Sequence, residues 1–471
     1  MDEFHFASAT GIAKQIRQKK ISPVEITTAH LGRIAHLNPK LNAFIQVDEE
    51  RVLREARASE AALMRGEIAG PLHGVPLTIK NSVETAGYLN EAGTKLRKGI
   101  IAAKDAPVVS RLKAAGALIL GVTNTPEMLM AWETDNLLYG RTNNPWDLSR
   151  TPGGSSGGES AAIASGCSAG GIGSDGGGSI RVPAHFTGIC GFKPTPGRIP
   201  STAHFPGSAG PFALIGVVGP LARTVNDLKV MFEVIAGPDD GDPCSAPVPL
   251  RPSTSEECQQ LPIGYFEDDG RTPVTPETRT AVRTAAERLE RAGFTVVPFR
   301  PDGLESARRL WWSWFGTAGG MMLGPETKGR EADLSPIFQE YLSWVAAEPP
   351  HTGHTLLQSW IQRDELRARF LAQMEVFPIL LCPAAAIPAF RHGERSWIID
   401  GKTVRYLDAW SYTEWFNLLG LPTAILPVGR STDGLPIGVQ IVGRAWEEER
   451  VLAVAAALES EGPGFQPPPL S

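Results

Sequence analysis

The chain has 471 residues, of which 42% are hydrophobic and 20% charged, with a formal net charge of -6. This is the balance of an ordinary soluble globular protein with enough length for a large core, and it excludes the basic footprint that nucleic acid or an anionic membrane would require. Five cysteines, Cys167, Cys190, Cys244, Cys258 and Cys382, show no CxxC spacing. They read as reduced thiols, and with no apolar leader in MDEFHFASAT and no bilayer-length apolar run the expected location is the cytoplasm.

Residues 7 to 65 predict helices, with Ser22 as a cap and Pro23 at the first helical position. The pattern then changes to short apolar strands at Val75 to Ile79, ending on Lys80, and at Ala117 to Val122. Residues 159 to 165 predict a short helix and 169 to 174 a strand behind it. A Pro-, Ser- and Asp-rich excursion follows from 238 to 260. Beyond it, 262 to 266 and 294 to 298 predict strands around a charged helix at 277 to 292. Residues 304 to 375 predict mostly helix and carry the cluster Trp311, Trp312, Trp314 and Phe315. Strands at 423 to 427 and 436 to 442 and a closing helix at 446 to 459 return the chain to α/β layering. The expected fold is one large α/β domain with a central mixed sheet flanked by helices. Its parts are N-terminal helices (1–70), a core (71–235), a variable, mostly helical region (236–410) and a return to the sheet (411–471).

The stretch from Thr151 to Pro183, TPGGSSGGESAAIASGCSAGGIGSDGGGSIRVP, concentrates glycines between short apolar pieces. Such backbone is suited to close approach and to turns. Three polar residues have positions that favour chemistry: Lys80 at the end of a strand, and Ser155 and Ser179 in glycine turns. A desolvated lysine becomes a usable base, and a serine needs such a base to become a nucleophile. Successive glycine amides beside Ser179 could converge on an oxyanion. The plainer readings are a solvated lysine and turn-forming serines. A P-loop lacks its GK[ST] ending, and the GxSxG elbow is imperfect. Spacing alone therefore reaches only a candidate serine hydrolase without a histidine base.

The motifs Gly153-Gly154-Ser155-Ser156-Gly157-Gly158, Ser174-Asp175-Gly176-Gly177-Gly178-Ser179-Ile180-Arg181-Val182-Pro183-Ala184 and Gly191-Phe192-Lys193-Pro194-Thr195 strongly resemble the amidase signature family. Further matches are Gly74 to Leu77 with Lys80, Gly121 to Asn124, Thr142 to Trp146, Gly420 to Pro422 and Leu435 to Gln440; residues 240 to 410 carry little of the pattern. The resemblance implies a Ser-cis-Ser-Lys triad, with Ser179 as nucleophile, Ser155 as bridging serine and Lys80 as base. It further implies an oxyanion hole from the amides of Gly176, Gly177, Gly178 and Ser179, with Asp175 and Arg181 as supports of the turn. Leu129, Met130, Ala131 and Trp132 align with a loop that lines the acyl pocket, and the 311–315 cluster is a further candidate wall. Two positions depart from the family: Asn81 replaces an aspartate beside the lysine, and Gly176 replaces a larger residue, which would loosen the oxyanion turn or open room beside it.

The implied activity is hydrolysis of a neutral hydrophobic or aromatic amide, with esters and carbamates (urethanes) open to the same chemistry. No metal and no cofactor is expected, and the partner is a small-molecule substrate, with a homodimer plausible from the family. One alternative is a glutamine-hydrolysing amidotransferase subunit working with a partner on charged tRNA, although residues 197 to 220 lack the Ser-Leu-Asp element expected of that subgroup. A second alternative is a non-catalytic binding protein of the same fold.

Overall fold

The computed structural model describes residues 2–470. Thirteen strands are formed among them: β1 (Phe44–Val47), β2 (Pro76–Lys80), β3 (Leu118–Thr123), β4 (Gly170–Asp175), β5 (Cys190–Lys193), β6 (Val217–Ala222), β7 (Ile263–Tyr265), β8 (Val296–Pro298), β9 (Ile379–Pro383), β10 (Ser396–Ile399), β11 (Lys402–Arg405), β12 (Thr423–Arg430) and β13 (Pro436–Gly443). Eleven of them make one mixed sheet in the order β1-β3-β2-β4-β6-β5-β12-β13-β9-β7-β8, and β10 and β11 form a separate hairpin. The expected single α/β domain with a central mixed sheet is therefore the observed one.

The middle strands are buried along their whole length because helices cover both faces. Every residue of β2 and β3 is buried, and β2 runs parallel to both β3 and β4. Doubly covered parallel strands read as continuous hydrophobic runs, which is why 75–79 and 117–122 are legible. The Pro23–Leu41 helix starts as its sequence predicts, with a capping box between Ser22 and Glu25. At the other end of the chain, Ala424, Ile437 and Val439 share a core cluster with Val451, Leu452 and Ala455 of the Glu448–Ser460 helix.

Several elements differ from expectation. The stretch read as helical from 7 to 65 contains β1, a four-residue strand on the sheet edge that is too short to establish a period. In the region read as mostly helical, 236–410, β7 and β8 lie within the strands expected at 262–266 and 294–298, whereas β9 joins the main sheet where no strand is expected. Ser179 is followed by a helix, Arg181–Thr187. Pro183 masks that helix in the sequence, yet it lies in the first turn, where the missing N–H would have no helical partner anyway.

The parallel β2 and β4 bring their carboxyl ends side by side, one ending on Lys80 and the other on Ser174-Asp175. In open α/β sheets this is where crevices form. The Leu304–Trp312 helix, its π-helical continuation Ser313–Ala318 and the Ser411–Leu418 helix close over that edge.

Candidate active site

The structure assembles the three sequence-predicted polar residues in one place. Lys80 is fully buried, and its Nζ lies 2.7 Å from Ser155 Oγ and 3.0 Å from Ser174 Oγ. Ser155 and Ser179 line the same cavity, of about 50 Å³, together with Ser174. Ser179 is nearly buried, and its exposed part faces that cavity. The Gly154–Ser155 peptide is cis. Thr125 Oγ1 donates to the Ser155 carbonyl at 2.8 Å, and Thr134 Oγ1 donates to the Gly153 carbonyl at 2.8 Å. No hydrogen bond joins the Ser155 and Ser179 hydroxyls among the described residues; such contacts often tighten only when a substrate is bound.

Burial pushes the Lys80 amine down to about 7, against the opposing pull of Asp175 and Glu159. A neutral amine at this position can take a proton from Ser155 while donating one of its own to Ser174. His204, absent from the sequence reading, lines the same cavity. It is no rival base, because its Nε2 is engaged by Ser82 at 3.2 Å and its Nδ1 by the Pro206 carbonyl at 3.0 Å. Burial, reinforced by the neighbouring lysine, lowers its pKa to about 4.

The turn that presents Ser179 is pinned from outside, carbonyl by carbonyl. Asn417 Nδ2 donates to the Asp175 carbonyl at 3.1 Å, and Trp311 Nε1 donates to that of Gly176 at 2.8 Å. Trp132 Nε1 donates to that of Gly177 at 2.8 Å, and Thr413 Oγ1 shares its proton between the same oxygen and Trp410. Val182 N–H donates to that of Gly178 at 2.7 Å. Gly178 has a φ of 115°, outside the range comfortable for other residues. Inside the turn, the Asp175 carboxylate accepts from the N–H groups of Gly178 (2.7 Å) and Ile180 (3.0 Å) and pairs with the Arg181 guanidinium at 2.9 and 3.0 Å. Burial would raise the Asp175 carboxyl, but the Arg181 charge and hydrogen bonds overcome it and hold the group well below the usual carboxylate range. Asp175 and Arg181 are thus internal ties of the turn, and both are buried.

Three expectations change. The Gly178 amide is committed to Asp175, so of the four amides expected to face an oxyanion it is the one already occupied. Of the four residues expected to contact substrate, Leu129 and Met130 line the cavity, whereas Ala131 and Trp132 do not. Trp132 is instead buried behind the turn with its indole on Gly177, and the Ala131 carbonyl packs against Gly154. The wall is completed by Phe212, Val217, Val218 and Phe315. Phe315 is the member of the tryptophan-rich cluster that reaches the cavity; Trp311 stacks on it with centroids 4.6 Å apart. The departures from the family also resolve. A Cβ on Gly176 would meet Phe315 at 3.4 Å, so the phenyl ring fills the space that the glycine leaves. The Asn81 amide ties the loop at Leu89 and Glu91 and is not turned toward Lys80.

The Amidase family model matches residues 25–452. The chain belongs to the Amidase family. Over 467 residues it is 35% identical to an indoleacetamide hydrolase of Bradyrhizobium diazoefficiens, covering 96% of this chain and 86% of that one. It is 34% identical to a glutamyl-tRNA(Gln) amidotransferase component of a Synechococcus species, covering 95% and 90% respectively. Among solved structures, a bacterial aryl acylamidase of the amidase signature enzymes superposes with a TM-score of 0.86 at 29% identity, covering 98% of this chain and 97% of the other. As a member of this Amidase family the chain is a hydrolytic enzyme acting on amides. No helix among the described residues is long and apolar enough to cross a membrane.

Proposed function

We propose that this amidase cleaves a neutral carboxylic amide through an acyl-enzyme on Ser179, with Ser155 as relay and Lys80 as base. The observation that carries the reading is the 2.7 Å contact between Lys80 Nζ and Ser155 Oγ in a fully buried site that shares its cavity with Ser179. In the first step Ser179 Oγ attacks the carbonyl carbon while its proton passes to Ser155 and the proton of Ser155 passes to Lys80 Nζ. The tetrahedral oxyanion lies against the amides of Gly176, Gly177 and Ser179; one such donor contributes about 3 to 4 kcal/mol to the transition state. Collapse of the intermediate breaks the C–N bond as the relay runs backwards and protonates the leaving nitrogen. A water then repeats the sequence on the ester carbonyl, releasing the acid and restoring Ser179.

The cavity favours an uncharged, hydrophobic or aromatic substrate. Its walls are mainly apolar, Asp175 is consumed by Arg181, and His204 is held neutral. The α-ammonium and α-carboxylate of glutamine would find no free counter-charge there, which sets the amidotransferase reading second despite the relative of that name. Indoleacetamide and aryl acylamides, the substrate types named for two relatives, fit such walls. Esters and carbamates present the same carbonyl to the same nucleophile and are expected to react.

The test is a panel of an anilide, a carbamate, a fatty amide, an ester and glutamine given to the purified protein, with intact-mass detection of acylated Ser179. Turnover of the aryl or alkyl amides with a trapped acyl adduct is the expected result. Ammonia release from glutamine alone, and only with a co-purifying partner, would replace this reading by the amidotransferase one.

A further inference from the structure

A second carboxylate sits behind Lys80, and the reaction above leaves it unused. Glu159 is fully buried in the first turn of the Gly157–Ala164 helix, four residues beyond Ser155. Its carboxylate accepts a hydrogen bond from Thr123 Oγ1 at 2.6 Å and another from Thr78 Oγ1. Both threonines flank the lysine: Thr78 precedes it by two residues on β2 and shares its face, and Thr123 is its partner across the β2–β3 ladder. The carboxylate is therefore held by a strand neighbour of Lys80 on the same face and by its cross-strand partner. β4 makes room for it, because a Cβ on Gly171, the residue paired with Thr78, would stand only 1.6 Å from Glu159 Oε1. A tie between helix and strands requires no charge, and a buried carboxylate is expensive unless it is hydrogen-bonded or faces a counter-charge, here the two threonines and Lys80.

We propose that Glu159 is a positioning residue for Lys80: its buried negative charge, held by Thr78 and Thr123, sets the proton affinity of the amine. This inference rests on Lys80 being the base. Desolvation alone would leave the amine too weak to draw a proton from a serine relay, and a base works best with its affinity near the operating pH. Lys80, at about 7, is lowered by burial and held up by Asp175 and Glu159. Glu159 is itself pushed up to about 7 by burial, against the hydrogen bonds of Thr123 and Thr78 and the charge of Lys80. The charged or titratable groups that face Lys80 are Asp175 from the end of β4, Glu159 from the helix and His204 from the loop across the cavity. Asp175 is committed to Arg181 and His204 is neutral, which leaves Glu159 as the adjustable charge.

The test is the pH profile of kcat/KM with an anilide for the wild type and for Glu159→Gln, Glu159→Asp and Thr123→Val. Removing a carboxylate whose charge raises the proton affinity of Lys80 should move the acid limb of Glu159→Gln down by about one pH unit or more. Its alkaline plateau should fall, because the base is weaker. Glu159→Asp keeps the charge and should keep the limb in place. Thr123→Val disfavours the ionised carboxylate and should move the limb in the same direction by less. An unmoved limb in Glu159→Gln, or in Thr123→Val should that variant alone fold, would overturn the proposal and leave Glu159 a structural tie. A wild-type profile with no acid limb near pH 7 would remove the Lys80 assignment itself and this inference with it.

Discussion

Replacing Gly177 with alanine tests whether the position of the turn, and not merely its composition, makes the oxyanion site. The added Cβ would lie 2.3 Å from Trp311 Cζ2 and 3.1 Å from Cε2 and Cη2, so the two groups must part by more than about 1 Å. Trp311 has little freedom to retreat: it is 1% exposed, stacks on Phe315 and has Trp132 at 6.0 Å on another side. Either the indole moves and loses its 2.8 Å bond to the Gly176 carbonyl, or the turn moves. The stability loss combines about 1 to 3 kcal/mol of overpacking with about 1 kcal/mol for the hydrogen bond. The larger effect falls on turnover, because both outcomes displace the Gly177 amide. Loss of such a donor lowers kcat by about 10² to 10³ and should leave KM nearly unchanged. Gly176→Ala is the internal control, since its Cβ would meet Phe315 at a tolerable 3.4 Å. Steady-state kinetics on an anilide, with thermal denaturation of each variant, makes the comparison. Gly177→Ala within a few-fold of wild type, or no more impaired than Gly176→Ala, would refute the reasoning.

The other predictions address the proton relay and the ion pair beneath it. If Lys80 acts as the proposed neutral base, kcat/KM should fall about tenfold per unit as the pH drops below about 7 and level off above it; a profile flat from pH 5 to 9 would contradict the assignment. Ser179→Ala should abolish turnover and acyl-adduct formation while leaving the circular dichroism spectrum unchanged, and Ser155→Ala should lower kcat by several orders of magnitude. Asp175→Asn strands Arg181, a side chain with no exposure, without its charge partner, and should cost about 3 to 5 kcal/mol in chemical denaturation. A loss under about 1 kcal/mol would mean that Gln440 and Asn417, its other partners, suffice to hold the guanidinium.

What can be read from the sequence follows what physics makes local. β2 and β3 are visible because strands covered on both faces are mainly apolar, β4 because the short piece from Ala169 to Ile172 stands between glycine turns, and the Pro23 helix because its cap lies within four residues. β9 and the Arg181–Thr187 helix are not, the first because a short buried run has no period to distinguish it, the second because Pro183 and the glycines before it look like loop. At the site, Lys80, Ser155 and Ser179 stand out through motif resemblance, and the structure sets Ser155 and Ser179 on one cavity with Lys80 hydrogen-bonded to Ser155. Trp132 looks like a wall because its neighbours are. Its burial behind the turn depends on contacts with Trp410 and Tyr406, more than 270 residues away. Glu159 is in plain view within the glycine run, but its meaning depends on Thr78 and Thr123, which the sheet alone brings to it.

The run that contributes Ser179 is locally the least constrained backbone in the chain, since glycine loses more freedom on ordering than any other residue. Oxyanion stabilisation requires the opposite, donors fixed before charge develops. Peptide geometry reconciles the two. In a trans peptide the C=O and the following N–H point in opposite directions, so a donor that captures one carbonyl aims the next amide. Asn417, Trp311, Trp132 and Val182 capture the carbonyls of four consecutive residues, Asp175 to Gly178. The amides of Gly176, Gly177, Gly178 and Ser179 are thereby oriented in turn, the third of them onto Asp175. Glycine keeps the space narrow enough for indoles to reach the backbone, and the indoles return the rigidity that glycine gives up. The aromatic cluster between 311 and 315 therefore meets the proposed oxyanion site in two ways: Phe315 faces the cavity while Trp311 holds the Gly176 carbonyl and so the peptide whose amide is proposed to point into it.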